Sequence, residues 1–352
     1  MRARGGITPC TTGRMLAHPA GPLTVAHPDV LRTAVEAAVM APSAHNAQPW
    51  RFRIVGDVLE VLADQARQLR VIDAERRQQI HGCGCALYNA RIAVRAAGHE
   101  GEVTTMLADD AHPELLATLH LGAPHVATDA ELDLLRAIPL RRTNRHAFLP
   151  RPVSADITNA LIAAAAAEGA QVVRLLPAQK QVLAHLIDEA DQLQYGDPAF
   201  RAELSHWLIP RGSARRDGIP FSEKEFGSNL PFTLMRKLRS TSLGADFGKL
   251  EEDLVRGAPV VLVMGTRTDD PSEWLACGQA LQAILLRATS LGMAAAFLNQ
   301  VVELPAHRAQ IAELCPEVGL PQMVLRLGYP SEPVHHPAPR RAVDDVLEIA
   351  PA

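Results

Sequence analysis

A glycine-to-glycine interval occurs twice in this chain and limits how it can fold. Gly84-Cys85-Ala86-Leu87 is followed by Gly98, and Gly278-Gln279-Ala280-Leu281 by Gly292, fourteen residues in each case. Leu121-Gly122-Ala123-Pro124 and Leu327-Gly328-Tyr329-Pro330 then follow in the same relative places. A glycine after an apolar helical run is a left-handed cap, so each interval reads as a long helix. Capping alone repeats glycines in unrelated helices, so the reading rests on several elements in one order: helix, strand, long central helix, strand, helix, strand, LGxP. The expected class is α+β, an α/β sandwich of two tandem halves, at about 27–135 and 136–352.

The rest of the chain fits this frame. Leu31, Val35, Ala38 and Val39 recur at helical spacing and stop at Pro42. Phe52–Val55 and Val58–Leu62 flank Gly56-Asp57, a hairpin signal. A helix leads to Gly98, and a strand, a helix and a strand lead to Leu121. Arg136–Pro152 is a Pro- and Arg-rich junction. Ser154 suits an N-cap for a helix over 155–167. A strand over 171–176, a helix over 181–193 and a buried strand over 259–264 follow. The predicted central helix spans 272–291; a strand (293–298), a loop at Asn299-Gln300, a helix (305–314) and a final strand complete the half. Residues 195–250 break the pattern and are too long for an ordinary connector, so they read as an inserted lid.

Pro42-Ser43-Ala44-His45-Asn46-Ala47-Gln48-Pro49-Trp50 joins the first helix to the hairpin. Its prolines fix φ and exclude helix, which makes a stiff corner. Ser43, Asn46 and Gln48 each donate and accept hydrogen bonds, which suits the edge of a flat heteroaromatic ligand. The same groups equally suit a plain turn that satisfies its own backbone.

Composition excludes several classes. The chain has 352 residues, 47% hydrophobic, with a net charge of −4, so no global charge draws it to nucleic acid or a membrane surface. Only four of its 35 basic residues are lysine, so arginine must supply any phosphate contacts. Five irregularly spaced cysteines argue for a reducing cytoplasm, not a disulfide framework. No apolar run reaches membrane-spanning length, and residues 1–26 read as a disordered extension rather than a signal peptide. His81, Cys83 and Cys85 match no zinc spacing. No GxGxxG or P-loop is present.

Pro-Ser-x-x-Asn-x-Gln-Pro-Trp at 42–50 resembles the flavin-contact motif of the FMN-dependent nitroreductases. Arg141-Arg142-Thr143-Asn144-Arg145 resembles that family's Arg-Arg-Ser-x-Arg signature, and Pro339-Arg340-Arg341 its C-terminal phosphate-binding end. In the family the arginine motif precedes the corner. Here it lies about a hundred residues after it, in the other half, and the second half has only Ala166–Gln171 where its own corner belongs. This split is similar to the Acg branch, and implies an intramolecular pseudo-dimer with one FMN and a lid.

The resemblance also implies roles. Arg141 and one or both of Arg340 and Arg341 are expected on the FMN phosphate. Arg142 and Thr143 are expected along the phosphate and ribityl chain. Arg145 should stabilise negative charge at the N1 edge. Asn299 and Gln300 should present backbone amides beside N5, and Ser43, Asn46 and Gln48 should hold the ring edges. Trp50 is expected to be a packing anchor. No catalytic residue is implied. The expected activity is hydride transfer from NAD(P)H through flavin to a nitroaromatic or quinone-like acceptor, ping-pong fashion, by a monomer or weak homo-oligomer. An FMN storage protein with a closed lid is the alternative. A fused descendant with its own substrate, such as a dehalogenase or an azoline oxidase, is a third reading.

Overall fold

The computed structural model describes residues 27–105, 112–221, 254–332 and 337–350. The first half contains α1 (His27–Ala38), the hairpin β1 (Trp50–Val55) and β2 (Val58–Ala63), the long α2 (Arg77–Ala96), β3 (His99–Thr105) and β4 (Leu115–Pro124). A connecting helix, α3 (Asp129–Ala137), leads into the second half. There α4 (Ala155–Ala166) and β5 (Gln171–Arg174) are followed by α5 (Pro177–Gly196), α6 (Pro198–Trp207) and two short strands, β6 (Leu208–Pro210) and β7 (Ile219–Phe221). Then come β8 (Val260–Thr266), the long α7 (Pro271–Ser290), β9 (Ala294–Phe297), α8 (Gln300–Glu303), α9 (Pro305–Leu314), β10 (Leu320–Gly328) and β11 (Leu347–Ile349).

The strand orders carry the repeat. The first sheet runs β11-β1-β2-β4-β3 and the second β5-β8-β10-β9. Without β11 the two are the same order, with β1, β2, β3 and β4 standing where β5, β8, β9 and β10 stand. The insertion between β5 and β8 therefore sits where the first half has the tight Gly56-Asp57 turn. It includes α5 and α6; its residues 222–253, most of the expected lid, lie outside the described residues. The helix expected between β3 and β4 falls on 106–111, also outside them.

Alternation explains the faces. Trp50, Phe52 and Ile54 on β1 and Leu59 and Val61 on β2 point into the core, while Arg51 and Arg53 point away. Burying each large apolar side chain stabilises by about 1.5–3 kcal/mol. All seven residues of β8 are buried. That follows from the insertion: Leu183 and Ile187 of α5 and Ile311 of α9 cover the face of the second sheet turned away from the central core. A strand covered on both faces reads as an unbroken apolar run.

The two halves meet along α2 and α7. A Cβ at Gly84 would strike the Leu275 carbonyl, and a Cβ at Gly278 would strike the His81 carbonyl. Each glycine thus faces the residue three positions before its counterpart, as a local two-fold axis requires. Gly98 and Gly292 end their helices at φ +95° and +72°, in the left-handed region expected of caps. Ser154 caps α4 by accepting from Ile157 N–H at 3.3 Å.

Helix α3 is not anticipated from the sequence, although its signal is there. Thr128 and Glu131 form a reciprocal capping box at its start. The tail holds a second surprise. Beyond Arg341 the chain crosses back and β11 pairs in parallel with β1, Phe52 opposite Leu347. No helix among the described residues is long and apolar enough to span a membrane.

Candidate functional site

The corner between α1 and β1 is a strained turn fixed by its own hydroxyl. Ser43 Oγ accepts from Gln48 N–H at 2.9 Å, and its carbonyl accepts from Asn46 N–H at 3.0 Å. His45, Asn46 and Gln48 all have positive φ, at 49°, 53° and 51°. Each such non-glycine residue costs about 1–3 kcal/mol and persists only where its surroundings hold it. Gly82 of α2 lets the corner approach, with Ser43 Cβ 3.4 Å from where its own Cβ would stand. Trp50, fully buried, anchors the exit in the core, in line with its expected packing role.

Asn46 and Gln48 are turned towards other parts of the chain. Asn46 Nδ2 donates to the carbonyls of Gly218, at 2.9 Å, and Pro339, at 3.1 Å. Its Oδ1 accepts from Arg340 at 3.0 Å. Gln48 Nε2 donates to the Arg216 carbonyl at 2.8 Å, and its Oε1 accepts from Arg341 N–H at 2.8 Å. The inserted segment and the tail therefore both latch onto the corner. Trp207 of α6 reinforces this by packing with Ala47 and Leu69.

The arginine motif approaches from the other half. Arg141 N–H bonds to the Ala137 carbonyl at the end of α3, and Asn144 N–H bonds to Ala295 on the edge of β9 at 2.9 Å. Thr143 bridges Ala295 as well, so backbone pairing fixes its position beside β9. Arg326 of β10 donates to the Asn144 and His146 carbonyls and holds the segment down.

Three guanidinium groups meet here. Burial lowers Arg141 to about 10. Burial, then the charges of Arg141 and Arg142, lowers Arg340 to about 9. Burial lowers Arg142 too. Among the described residues none of the three makes an ion pair; Arg340 donates to Asn46 Oδ1 and to the carbonyls of Met40, Ala41, Ala338 and Pro339. The Nε atoms of Arg141 and Arg340 are buried without a hydrogen-bond partner. Cations gathered out of water with spare donors fit a dianion such as a phosphate.

The tail arginines divide the work. Arg341 does not join the cluster. It bonds to the Gln48, Trp50 and Asp345 carbonyls and pairs with Asp64 at 3.4 Å. It clamps the tail to β1 and lines a separate cleft of about 360 Å³ with Arg67, Arg215, Arg216, Asp217 and Asp345. Arg145 is exposed at the corner's edge, where its charge acts on His45.

At the Asn299-Gln300 loop, where only backbone amides are expected at a ligand, the side chains have structural partners. Asn299 Oδ1 accepts from Val324 N–H at 3.2 Å and its Nδ2 reaches Met323 Sδ, so the amide secures β10. Gln300 opens α8 and bonds to Asp191 of α5 at 3.4 Å. Only the backbone at these positions is left for a ligand. His45 lies inside the corner motif, and the motif alone assigns it no definite role. Its Nε2 is buried and without a partner, and burial, then the Arg145 charge, lowers its pKa to about 4. Its position inside the corner motif was the available signal. No group of three or more metal-ligating side chains is present among the described residues.

The sequence profile of the Nitroreductase family matches residues 27–117 and 138–329, one segment in each half. A Mycobacterium tuberculosis protein provisionally named an NAD(P)H nitroreductase is 33% identical over 330 residues, which covers 91% of both chains. A second from the same organism, acg, carries a similar provisional name. It is 29% identical and covers 93% of this chain and 98% of its own. Among solved structures, the FMN-dependent nitroreductase NfnB of Mycobacterium smegmatis, in complex with NADPH, aligns with a TM-score of 0.43 at 19% identity. That alignment covers 63% of this chain and all of NfnB.

Proposed function

Because the chain belongs to the nitroreductase family, we propose that it is an FMN-binding oxidoreductase in which one chain forms an intramolecular pseudo-dimer with a single flavin site. On this reading the halves divide at about 135/136, and the described part of the expected lid segment (about 195–250) covers the corner through the Arg216 and Gly218 carbonyls. Bound FMN would supply hydride chemistry between NAD(P)H and a nitroaromatic or quinone-like acceptor, in ping-pong order.

The observation that carries the reading is the cluster of Arg141, Arg142 and Arg340, which has no carboxylate partner among the described residues and is joined to the corner through the Arg340–Asn46 bond. The chain's own residues then act as follows. Arg141 and Arg340 bind the phosphate with their spare Nε donors. Thr143, pinned to β9, lines the approach. Arg145 offers positive charge to the edge of the ring that becomes negative on reduction. The backbone at Asn299 and Gln300 would offer its amides to the reacting edge, and Ser43 keeps the corner in shape. Arg341 acts on the site through Gln48 and the tail. No side chain is assigned acid or base work. A site completed within one chain needs no second copy, and light scattering of the purified protein measures whether it is a monomer or a weak homo-oligomer. The absence of ordered disulfide spacing supports a cytoplasmic setting.

Titrating FMN into purified apoprotein tests the reading. Tight binding with a shifted flavin spectrum is expected, and a protein that stays colourless with excess FMN refutes it. A second reading, FMN storage, draws support from the carbonyls of Gly218 and Arg216 on the corner amides. Such a cover excludes a nicotinamide if it never opens, whereas a transient closure is ordinary enzyme behaviour. Anaerobic mixing with NADH or NADPH separates them. Prompt bleaching of bound FMN identifies the enzyme; bleaching by dithionite alone identifies the store.

A further inference from the structure

We propose that His45 Nε2 accepts a hydrogen bond from the imide N–H of a flat heteroaromatic ring bound at the corner beside Arg145. The inference rests on the FMN reading and deepens it by naming the residue that reads the ring's N3–H.

The corner's acceptors decide the matter. Ser43 Oγ already accepts from Gln48 N–H, Asn46 Oδ1 from Arg340 and Gln48 Oε1 from Arg341 N–H. His45 Nε2 has no hydrogen-bond partner among the described residues and is sealed from water. A buried polar atom in that state is costly, so at this corner it is the acceptor with capacity for a ligand's donor. The backbone points the same way. Asn46 and Gln48 share the left-handed conformation, and their side chains are tied to the tail and the inserted segment. His45 shares it at φ 49° and ψ 17°, yet its Nε2 holds nothing that compensates.

Donors are plentiful nearby, since Arg145 and Arg340 bring guanidinium groups to the same corner. Two adjacent donors would read two carbonyls. A donor beside an acceptor reads O=C–N–H, the edge that an isoalloxazine presents at C2 and N3. This assigns the imidazole proton to Nδ1 and leaves the Nε2 lone pair for the ligand. The Arg145 charge and burial keep the ring neutral near pH 7, as that role needs.

The test compares FMN with 3-methyl-FMN, which lacks the imide proton, in fluorescence titrations of the wild-type apoprotein and of His45→Gly. Glycine accepts the positive φ, so the variant keeps the corner's backbone. Methylation is expected to weaken wild-type binding about tenfold or more, the effect of one unpaired buried group. It is expected to change the variant by no more than about twofold. Equal affinities for wild type, or the same penalty in both proteins, overturn the proposal and leave the FMN reading standing. If FMN itself fails to bind wild type, both fall. A second measurement needs no variant. Imidazole ¹⁵N shifts in the FMN complex should show Nε2 unprotonated, and an Nε2–H signal overturns the assignment.

Discussion

The two ends of the α2–α7 crossing are built alike and charged differently. At one end Arg141 lies near Cys85 of α2, with Arg142 and Arg340 beside it and no carboxylate among their described partners. At the other end stands Gln279 of α7, which takes the place of Cys85 when Gly84 is matched to Gly278. Arg91 bonds to it at 2.8 Å and pairs with Glu168 at 2.5 Å. Glu168 follows α4, in the stretch where the second half has no Pro-Ser-x-x-Asn corner. Among the described residues, one end therefore holds cations with no anion beside them, and the other holds a matched pair. A duplicated scaffold can keep a binding site at one end and turn the other into packing.

The shared crossing is where the comparison breaks hardest. Gly84→Ala and Gly278→Ala each drive a methyl group into a backbone carbonyl of the opposite helix. Neither carbonyl can move without its helix, so each change is expected to cost about 3 kcal/mol or more. Thermal denaturation should show a loss of similar size for the two glycines. A large loss at one and none at the other would mean that the crossing is not two-fold.

Arginine substitutions at the two ends should then differ in kind. Arg340→Met removes one of three clustered cations. FMN affinity is expected to fall about 100-fold, the value of one charge-assisted contact to a phosphate. The apoprotein should lose less stability than this, because relieved repulsion with Arg141 and Arg142 offsets part of the lost bonds to Asn46 and the neighbouring carbonyls. Arg91→Met should do the reverse. It leaves Glu168 partly buried without its partner, which is expected to cost about 1–2 kcal/mol after allowing for solvent at 26% and 16% side-chain exposure. Its FMN affinity should match wild type. Calorimetry and flavin titration on both variants decide it: parallel responses would erase the distinction between site and plug.

Much of this was legible because the signals are local. The corner, the arginine motif, the two capped central helices and the Ser154 cap each lie within a few consecutive residues. The repeat needed only the glycines and the order of elements around them. What was missed depends on contacts distant in sequence. β11 is a short segment that becomes a strand only by meeting β1. Arg340 and Arg341 are adjacent yet face different surroundings, which no local pattern could reveal. Asn46 and Gln48 were read as ring contacts, but carbonyls from residues 216, 218 and 339 take their amide donors. The bond from Val324 N–H to the Asn299 side chain, which secures β10, also joins residues far apart in sequence. The Thr128–Glu131 capping box at α3 was in plain view.

The smallest expected effect concerns the strained corner, where the second half has no counterpart. His45 titrates at about 4 in the folded chain, lowered first by burial and then by Arg145, against about 6.5 unfolded. Between those values the unfolded chain binds more protons, so stability rises with pH across that window and is fully present above it. Falling from pH 7 to 5.5 should therefore cost the apoprotein about 1 kcal/mol through this group. Other groups titrate too, so the useful quantity is the difference from His45→Asn, which keeps a residue tolerant of positive φ and removes the titration. As pH falls from 7 to 5.5 the wild type should lose about 1 kcal/mol more than the variant. Curves that stay parallel would mean that the imidazole reaches water, and the unmatched character of that end would then rest on the arginines alone.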